Sequence, residues 1–310
     1  MCPIMRAAVL YELGTVPVFA DFKEPQAEDG HEVLEVLLAG LNPVDLFSAA
    51  GMLGEVALPC VVGLEGIARL PDGGRVYFNG PPKPFGSMAQ FAPVDVASTF
   101  ALPDGLDGGL AVALGIAGLA AWLPLTWRAN LQAGETVLVL GASGVVGQIG
   151  VQAAKLLGAG RVVAAARTRP VLQRLRERGA DEIVVLEGDY AKALKDAAGD
   201  GYDVVLDPLY GAPLEAALAA TADGARIVTV GATAAMTVTV AMTAIYGRTW
   251  IGHNNAQAPL EVRREAYERL AGHALAGEIV VDVERLPLSR IDEAWERQAR
   301  GPHHKVTLIP

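Results

Sequence analysis

ETVLVLGASGVVGQIGVQAAKLLGAG, residues 135–160, decides the fold of this 310-residue chain. TVLVL (136–140) is an apolar run of strand length, and QIGVQAAKLL (148–157) is a helical stretch that stops at Gly158. Between them stand Gly141, Gly144 and Gly147. A bare Gly144 lets the backbone approach a pyrophosphate, a bare Gly147 lets the helix lie close on the strand, and the amides at the helix start meet the anion. Gly141, Ala142, Ser143, Gly144, Val145, Val146 and Gly147 are therefore the expected dinucleotide contacts. The competing reading is a tight turn with no ligand.

Moving outward, the rhythm repeats. RVVAAA (161–166), EIVVL (182–186), DVVLD (203–207), RIVTVG (226–231) and TWIG (249–252) are short apolar runs, and most are followed by helical stretches such as PVLQRLRER, opened by Pro170 and closed by Gly179. Six such runs predict an α/β domain with a six-stranded, doubly wound parallel sheet, spanning 118–256. The second run also selects the nucleotide. An NAD site usually has an acid about 20 residues past the glycines, to bind the ribose hydroxyls. This chain has Ala166-Arg167-Thr168-Arg169 there, with no acid. Guanidinium groups bind a 2′-phosphate that a carboxylate would repel, so NADP(H) is the expected cofactor, with Arg167 as main contact and Thr168 and Arg169 as helpers. A solvated turn before a helix is the alternative.

Residues 5–100 read differently. RAAVLYEL, EVLEVLLAG, GIARL, RVYFNG and MAQFAPV are short alternating runs separated by turn signals such as LPDGGR, the pattern of an antiparallel, barrel-like β domain. The tail, 257–310, holds a helix near 260–275, a strand EIVVDVE, a helix SRIDEAWERQAR and a strand KVTLIP. It is too short for a core of its own and is assigned to the first domain, giving 1–117 plus 257–310. GGLAVALGIAGLAAWLPL (108–125) is read as a buried helix pair, a membrane span being the weaker alternative because glycines and a proline interrupt it.

The totals exclude other classes. With 35 acidic against 25 basic residues, nothing neutralises a run of phosphates, which argues against nucleic acid. Two cysteines, Cys2 and Cys60, are too few for a disulfide framework or a cysteine-based structural zinc. No signal peptide is read at the N-terminus, so a cytoplasmic setting is expected.

LNPVDLF…AAG (41–51), GLEGIARL (63–70), GRVYFNG (74–80), GSMAQF (86–91), AGLAAW (117–122), the glycine turn and YDVVLDPLYG (202–211) together resemble the medium-chain dehydrogenase/reductase superfamily, in its zinc-free quinone oxidoreductase-like branch. The resemblance covers nearly the whole chain. It implies a GroES-like catalytic domain built from both chain ends, a central Rossmann domain, a cleft between them for nicotinamide and substrate, and a homodimer joined near TWIG. Zinc-using relatives carry Cys at the position of Asn42 and His-Glu at Leu64-Glu65. Asn42 and Leu64 supply no zinc ligand, so no metal is expected.

A site without a Lewis acid suits acceptors that are already electrophilic: quinones, α,β-unsaturated ketones or reactive dicarbonyls. Asn42 is then a candidate neutral hydrogen-bond donor to the oxygen that gains charge, or a cap before Pro43; the two roles are compatible. Asp45 is a candidate supporting group or a first-turn helix acid, and Glu65 is expected to pair with a neighbouring cation or donor. Tyr77 is the chosen candidate proton source, with Tyr210 and Tyr246 as other hydroxyls and His253 as a weaker candidate. Val230, Gly231 and Ala232 are expected beside the nicotinamide, and Lys305 at the cofactor phosphates or on a solvated edge. Phe47, Ala49 and Leu53 replace polar residues usual in the branch, and Gly118-Leu119-Ala120-Ala121 lacks the branch's threonine, which predicts an apolar pocket. Hydride transfer to a quinone or enone leads; an enoyl reductase and a low-turnover NADPH-binding protein are the rivals.

Overall fold

Runs such as TVLVL and RVVAAA carry no polar alternation because their strands are covered on both faces. In the computed structural model, which describes residues 3–27 and 30–310, they form the expected parallel sheet. Its six strands lie in the order Glu182–Val185, Arg161–Ala166, Thr136–Leu140, Tyr202–Asp207, Thr221–Thr229 and Thr249–Gly252. The chain starts in the middle, winds outward to Glu182–Val185, then returns to the other side of Thr136–Leu140. The order reverses at that point, which opens a crevice at the carboxyl ends of Thr136–Leu140 and Tyr202–Asp207. Leu138, Val163, Val205 and Ile227 fill the sheet's core together with Leu194, Leu214 and Leu218 from the helices Tyr190–Ala198 and Gly211–Leu218.

The residues are organised as two units, 1–116 with 267–310, and 117–266. The second junction lies inside the helix Leu260–Leu275, later than the change of sequence pattern at 257, because a helix can run on across a division between cores. The first lies inside a helical run, Gly108–Arg128. That run is two helices joined across a kink at Gly115, the buried pair the sequence suggests, and 78% of its most apolar window is buried in the protein, so its apolarity belongs to a core.

In the first unit Val18–Lys23, Ile4–Leu10 and Cys60–Val61 form a three-stranded sheet. A second sheet is centred on Glu32–Leu41, flanked by Lys305–Ile309 on one side and Glu65–Arg69 then Arg75–Asn79 on the other. Pairing is antiparallel except for Val283–Pro287 with Lys305–Ile309. The sequence pattern extends this last strand back over 278–282. Ile279 and Val281 are buried as that alternation requires, but these residues have no ladder partner; pairing begins where Asp282 O accepts from Lys305 N.

The register of this sheet places three distant side chains together. Gly40 pairs with Glu65 on one flank and with Thr307 on the other, while Leu41 pairs with Val306. Asn42, Glu65 and Lys305 therefore leave the sheet at one level.

Candidate functional site

The glycine turn has the form expected of an anion cradle. Gly144 precedes the helix Val145–Leu156 with extended backbone, and no side chain caps that helix. Its first amides are thus left for a ligand. A Cβ on Gly144 would meet no protein atom nearer than 3.5 Å, so what a side chain would fill there is the space before the helix. At Gly147 the constraint comes from the protein itself, since a Cβ would lie 2.5 Å from Ala142 Cα and from Gly141 O. Gly147→Val is expected to push the helix off the turn and cost about 1–3 kcal/mol. Urea unfolding measures that loss. The buried Gln148 braces the turn by donating to Ser143 O at 2.9 Å.

Arg167 stands beside this turn. Ala142 N donates to Ala165 O at 3.0 Å, and Arg167 and Arg169 follow as exposed residues whose guanidinium groups make no hydrogen bond or ion pair among the described residues. Two unengaged guanidinium groups next to an uncapped helix start fit a phosphorylated ribose and would find no competing carboxylate of their own. Thr168 is half-buried at the cap position of the helix Arg169–Glu177. On the other side of the crevice Val230 N donates to Asp207 O at 2.8 Å and Ala234 N to Leu209 O at 2.8 Å, so Val230, Gly231 and Ala232 line the segment that follows the strand Tyr202–Asp207.

Asp207 organises that segment, a role that inspection of YDVVLDPLYG did not assign. Its Oδ1 accepts from Leu209 N and Tyr210 N, both at 2.9 Å, and its Oδ2 from the Thr229 hydroxyl at 3.1 Å. Full burial raises its pKa against the pull of those hydrogen bonds. Beyond it, Gly188, Asp189, Tyr190, Ala212 and Glu215 border an open cavity of about 390 Å³.

In the first unit the candidate residues form one buried network. Glu65 Oε1 accepts from Asn42 Nδ2 at 2.8 Å and from Lys305 Nζ at 2.6 Å; Oε2 accepts from the Tyr77 hydroxyl at 2.8 Å and from Ile116 N at 2.7 Å. Lys305 Nζ also donates to Asn42 Oδ1 at 2.6 Å. Glu65 is 0%, Lys305 1% and Asn42 4% exposed, so the ion pair is removed from water and depends on these hydrogen bonds. The amide of Ile116 turns to Glu65 where the helical run breaks at Gly115, whose ψ is −111°. A Cβ on Gly115 would lie 2.1 Å from the Tyr77 ring, so only glycine fits there.

Two assignments in this unit change. The sequence suggests Lys305 at the cofactor phosphates or on a solvated edge, but its ammonium is buried between a carboxylate and an amide oxygen of its own unit. The sequence also offers Tyr77 as a proton source. Its hydroxyl is given to Glu65, its ring packs with those of Phe100 and Tyr267 in a cluster of three, and burial first and the Glu65 charge second raise its pKa well above the usual phenol value. Tyr77 is therefore a structural member of the network.

Asp45 Oδ2 accepts from Asn42 N at 2.8 Å, at the start of the helix Pro43–Ala49. Its Oδ1 is buried without a partner among the described residues, and Asp45 borders a cavity of about 10 Å³, close to the space of one water, which Ser48, Cys60 and Lys83 also line. Burial raises its pKa to about 7, with the Glu65 charge adding to the rise, and the Asn42 amide and Lys305 opposing it. The folded state therefore holds a proton that the unfolded chain releases near pH 4, and stability attributable to Asp45 falls as pH rises from about 4 to about 7. Asp45→Asn removes this dependence. Its melting temperature is expected to exceed that of the wild type at pH 8 and to approach it at pH 5, as thermal unfolding at the two pH values would record.

His253 in the second unit is not a proton source. Burial, with help from Arg128, lowers its pKa to about 4. Its Nδ1 accepts from Arg128 Nε at 3.3 Å and its Nε2 lies 3.2 Å from Asn255 Oδ1, so the neutral ring ties the loop to Arg128.

Among the described residues no group of three or more His, Cys, Asp or Glu side chains converges as a metal site. At the position of zinc ligands in metal-using relatives, the donor set is an amide, a hydrocarbon side chain and a carboxylate already neutralised by an ammonium 2.6 Å away. That chemistry disfavours a divalent cation.

Residues 145–271 match the family model described as zinc-binding dehydrogenase, a stretch that begins inside the glycine turn and does not include Asn42, Glu65 or Lys305. The chain is 30% identical to the quinone oxidoreductase of Rattus norvegicus over 74% of its own length and 73% of the relative's. It is 31% identical to the chloroplastic NADPH-dependent alkenal/one oxidoreductase of Arabidopsis thaliana over 66% of its length and 57% of the relative's. Among solved structures, the quinone oxidoreductase of Thermus thermophilus, studied also as its complex with NADPH, superposes with a TM-score of 0.82 at 29% identity, covering 99% of this chain and 100% of the other. The quinone oxidoreductase of Pseudomonas syringae pv. Tomato DC3000 shares the fold at a TM-score of 0.88 and 21% identity, over the full length of both chains.

Proposed function

The chain belongs to the zinc-free quinone oxidoreductase-like branch of the medium-chain dehydrogenase/reductase superfamily, and on that premise we propose that it is an NADPH-dependent oxidoreductase that reduces a quinone or an α,β-unsaturated carbonyl compound without zinc. The observation that carries this reading is the buried Asn42–Glu65–Lys305 network, which puts hydrogen bonds and an internal cation where a Lewis acid would otherwise be held. An acceptor must then be electrophilic by itself. NADPH supplies the hydride when bound. The turn Gly141–Gly147 and the guanidinium groups of Arg167 and Arg169 hold its phosphates, and Val230, Gly231 and Ala232 border it through backbone. Asn42 donates to the acceptor oxygen as it gains charge, and that oxygen takes its proton from solvent. Asp45 supports Asn42 by holding its backbone N–H.

Relatives named for quinones and for alkenals and alkenones support both acceptor classes. Following NADPH and NADH oxidation with a panel of quinones, enones and enoyl thioesters, with and without chelator, separates them. Turnover with quinones or enones that survives chelation is expected. NADPH binding without turnover on any acceptor would sink the reading, and faster reduction of enoyl thioesters would favour a biosynthetic enoyl reductase.

The same reading includes a homodimer. Thr249–Gly252 is an edge strand, and Met242, Ile245 and Tyr246 just before it are exposed apolar residues, a combination that invites pairing with a second copy. Light scattering should give twice the chain mass; a monomer at micromolar concentration would refute it.

A further inference from the structure

Asn42 has three hydrogen-bonding ends to place: an oxygen and two N–H groups on Nδ2. The oxygen faces the Lys305 ammonium at 2.6 Å, and one N–H faces Glu65 Oε1 at 2.8 Å. A rotated amide would set its NH2 against an ammonium and its oxygen against a carboxylate, in surroundings where Asn42, Glu65 and Lys305 are all at most 4% exposed. Opposed charges at such distances in a poorly solvated site permit only one orientation. Glu65 alone would not achieve this, because either N–H could serve it and the oxygen would be left to turn. The ammonium supplies the second constraint.

We propose that Lys305 is a positioning residue for catalysis: by holding Asn42 Oδ1 it fixes the amide so that a single Nδ2–H, unused among the described residues, is the donor presented to the acceptor oxygen. This rests on the reading in which Asn42 is that donor. It gives the buried cation the orienting part of a metal ion's role, with no bond to substrate. Lys305 itself touches no substrate atom, because both of its observed side-chain hydrogen bonds are internal and its side chain is shut off from solvent. The element that carries it explains its precision: the strand Lys305–Ile309 is locked between Glu32–Leu41 and Val283–Pro287, and Lys305 N donates to Asp282 O at 2.8 Å.

Lys305→Met alone leaves Glu65 charged and buried, so the test uses the paired variant Glu65→Gln/Lys305→Met, which removes both charges and keeps similar volumes. Its kcat with the best quinone or enone should fall by about 100-fold, the scale of a lost oriented donor, while its KM for NADPH stays within about twofold, since lost positioning acts on the reacting state alone. In an Asn42→Ala background the same pair should lower kcat no further, because Lys305 acts through Asn42. NMR of 15N-labelled protein gives a readout without turnover. The two Asn42 side-chain protons should be distinct and exchange slowly in the wild type, and should average or exchange faster in the paired variant. The proposal is overturned if the paired variant folds and keeps kcat within about threefold of the wild type, the opposite of the loss expected for an unoriented donor. It is also overturned if the loss persists in the Asn42→Ala background, or if the Asn42 resonances do not change. If the wild type reduces no acceptor, the functional reading falls, and the resonances still decide whether Lys305 fixes the amide.

Discussion

Arg167→Ala is expected to weaken NADPH binding by roughly 10- to 100-fold while changing NADH binding by less than about threefold, because a charge-assisted hydrogen bond contributes about 1.5–3 kcal/mol and the 2′-phosphate that Arg167 would hold is the feature NADH lacks. The Arg167 guanidinium has no partner among the described residues and is exposed, so removing it leaves no buried group of theirs unpaired and the loss reports ligand contacts. Arg169 and the uncapped helix start remain in the variant, which keeps the shared pyrophosphate contacts and limits the effect to the phosphorylated ribose. Fluorescence titration with both nucleotides measures the two affinities. Equal weakening would mean that the arginines act on a part common to both, and the preference for NADPH would need another source.

The nucleotide half of the molecule is legible in sequence because its information is local. Strand, glycine turn and helix follow one another within 26 residues, each element announced by its own pattern, and Arg167 and Arg169, proposed to select the nucleotide, come at the end of the next strand. Gly147 reads correctly because a close approach of helix to turn excludes every other side chain. The catalytic half is legible only in part. Asn42 and Leu64 stand out as substitutions in a metal-binding pattern that keeps Glu65, and Glu65 does pair with a cation and donors. Which cation it is depends on sheet register, since Lys305 is 240 positions away and follows His303-His304 in a stretch that reads as a polar edge. Nothing in two histidines and a lysine announces burial. Tyr77 fails for the same reason: a tyrosine in a strand reads as an available hydroxyl, and only the break at Gly115 and the aromatic neighbours Phe100 and Tyr267 reveal that it is enclosed.

Lys305→Met should destabilise the first unit by about 3–5 kcal/mol, the range for deleting one partner of a buried ion pair. The cost arises less from the lost attraction than from what stays behind. Glu65 would remain fully buried, with three neutral donors, Asn42 Nδ2, the Tyr77 hydroxyl and Ile116 N, and no countercharge. Asn42 Oδ1 would lose its donor as well. Adding Glu65→Gln removes the stranded charge while leaving an amide that can still accept from Tyr77 or Ile116, so the paired variant should recover at least half of the loss even though it carries one more substitution. That sign distinguishes a charge effect from a packing effect: if the methionine side chain merely fitted badly in place of the lysine, a second change at Glu65 would add to the damage. Urea unfolding of the two variants and the wild type at pH 7 measures the difference. The same cycle bears on why the pair is kept, since a paired variant that folds well but turns over slowly would mean that the buried charges serve the orientation of Asn42 more than the stability of the sheet.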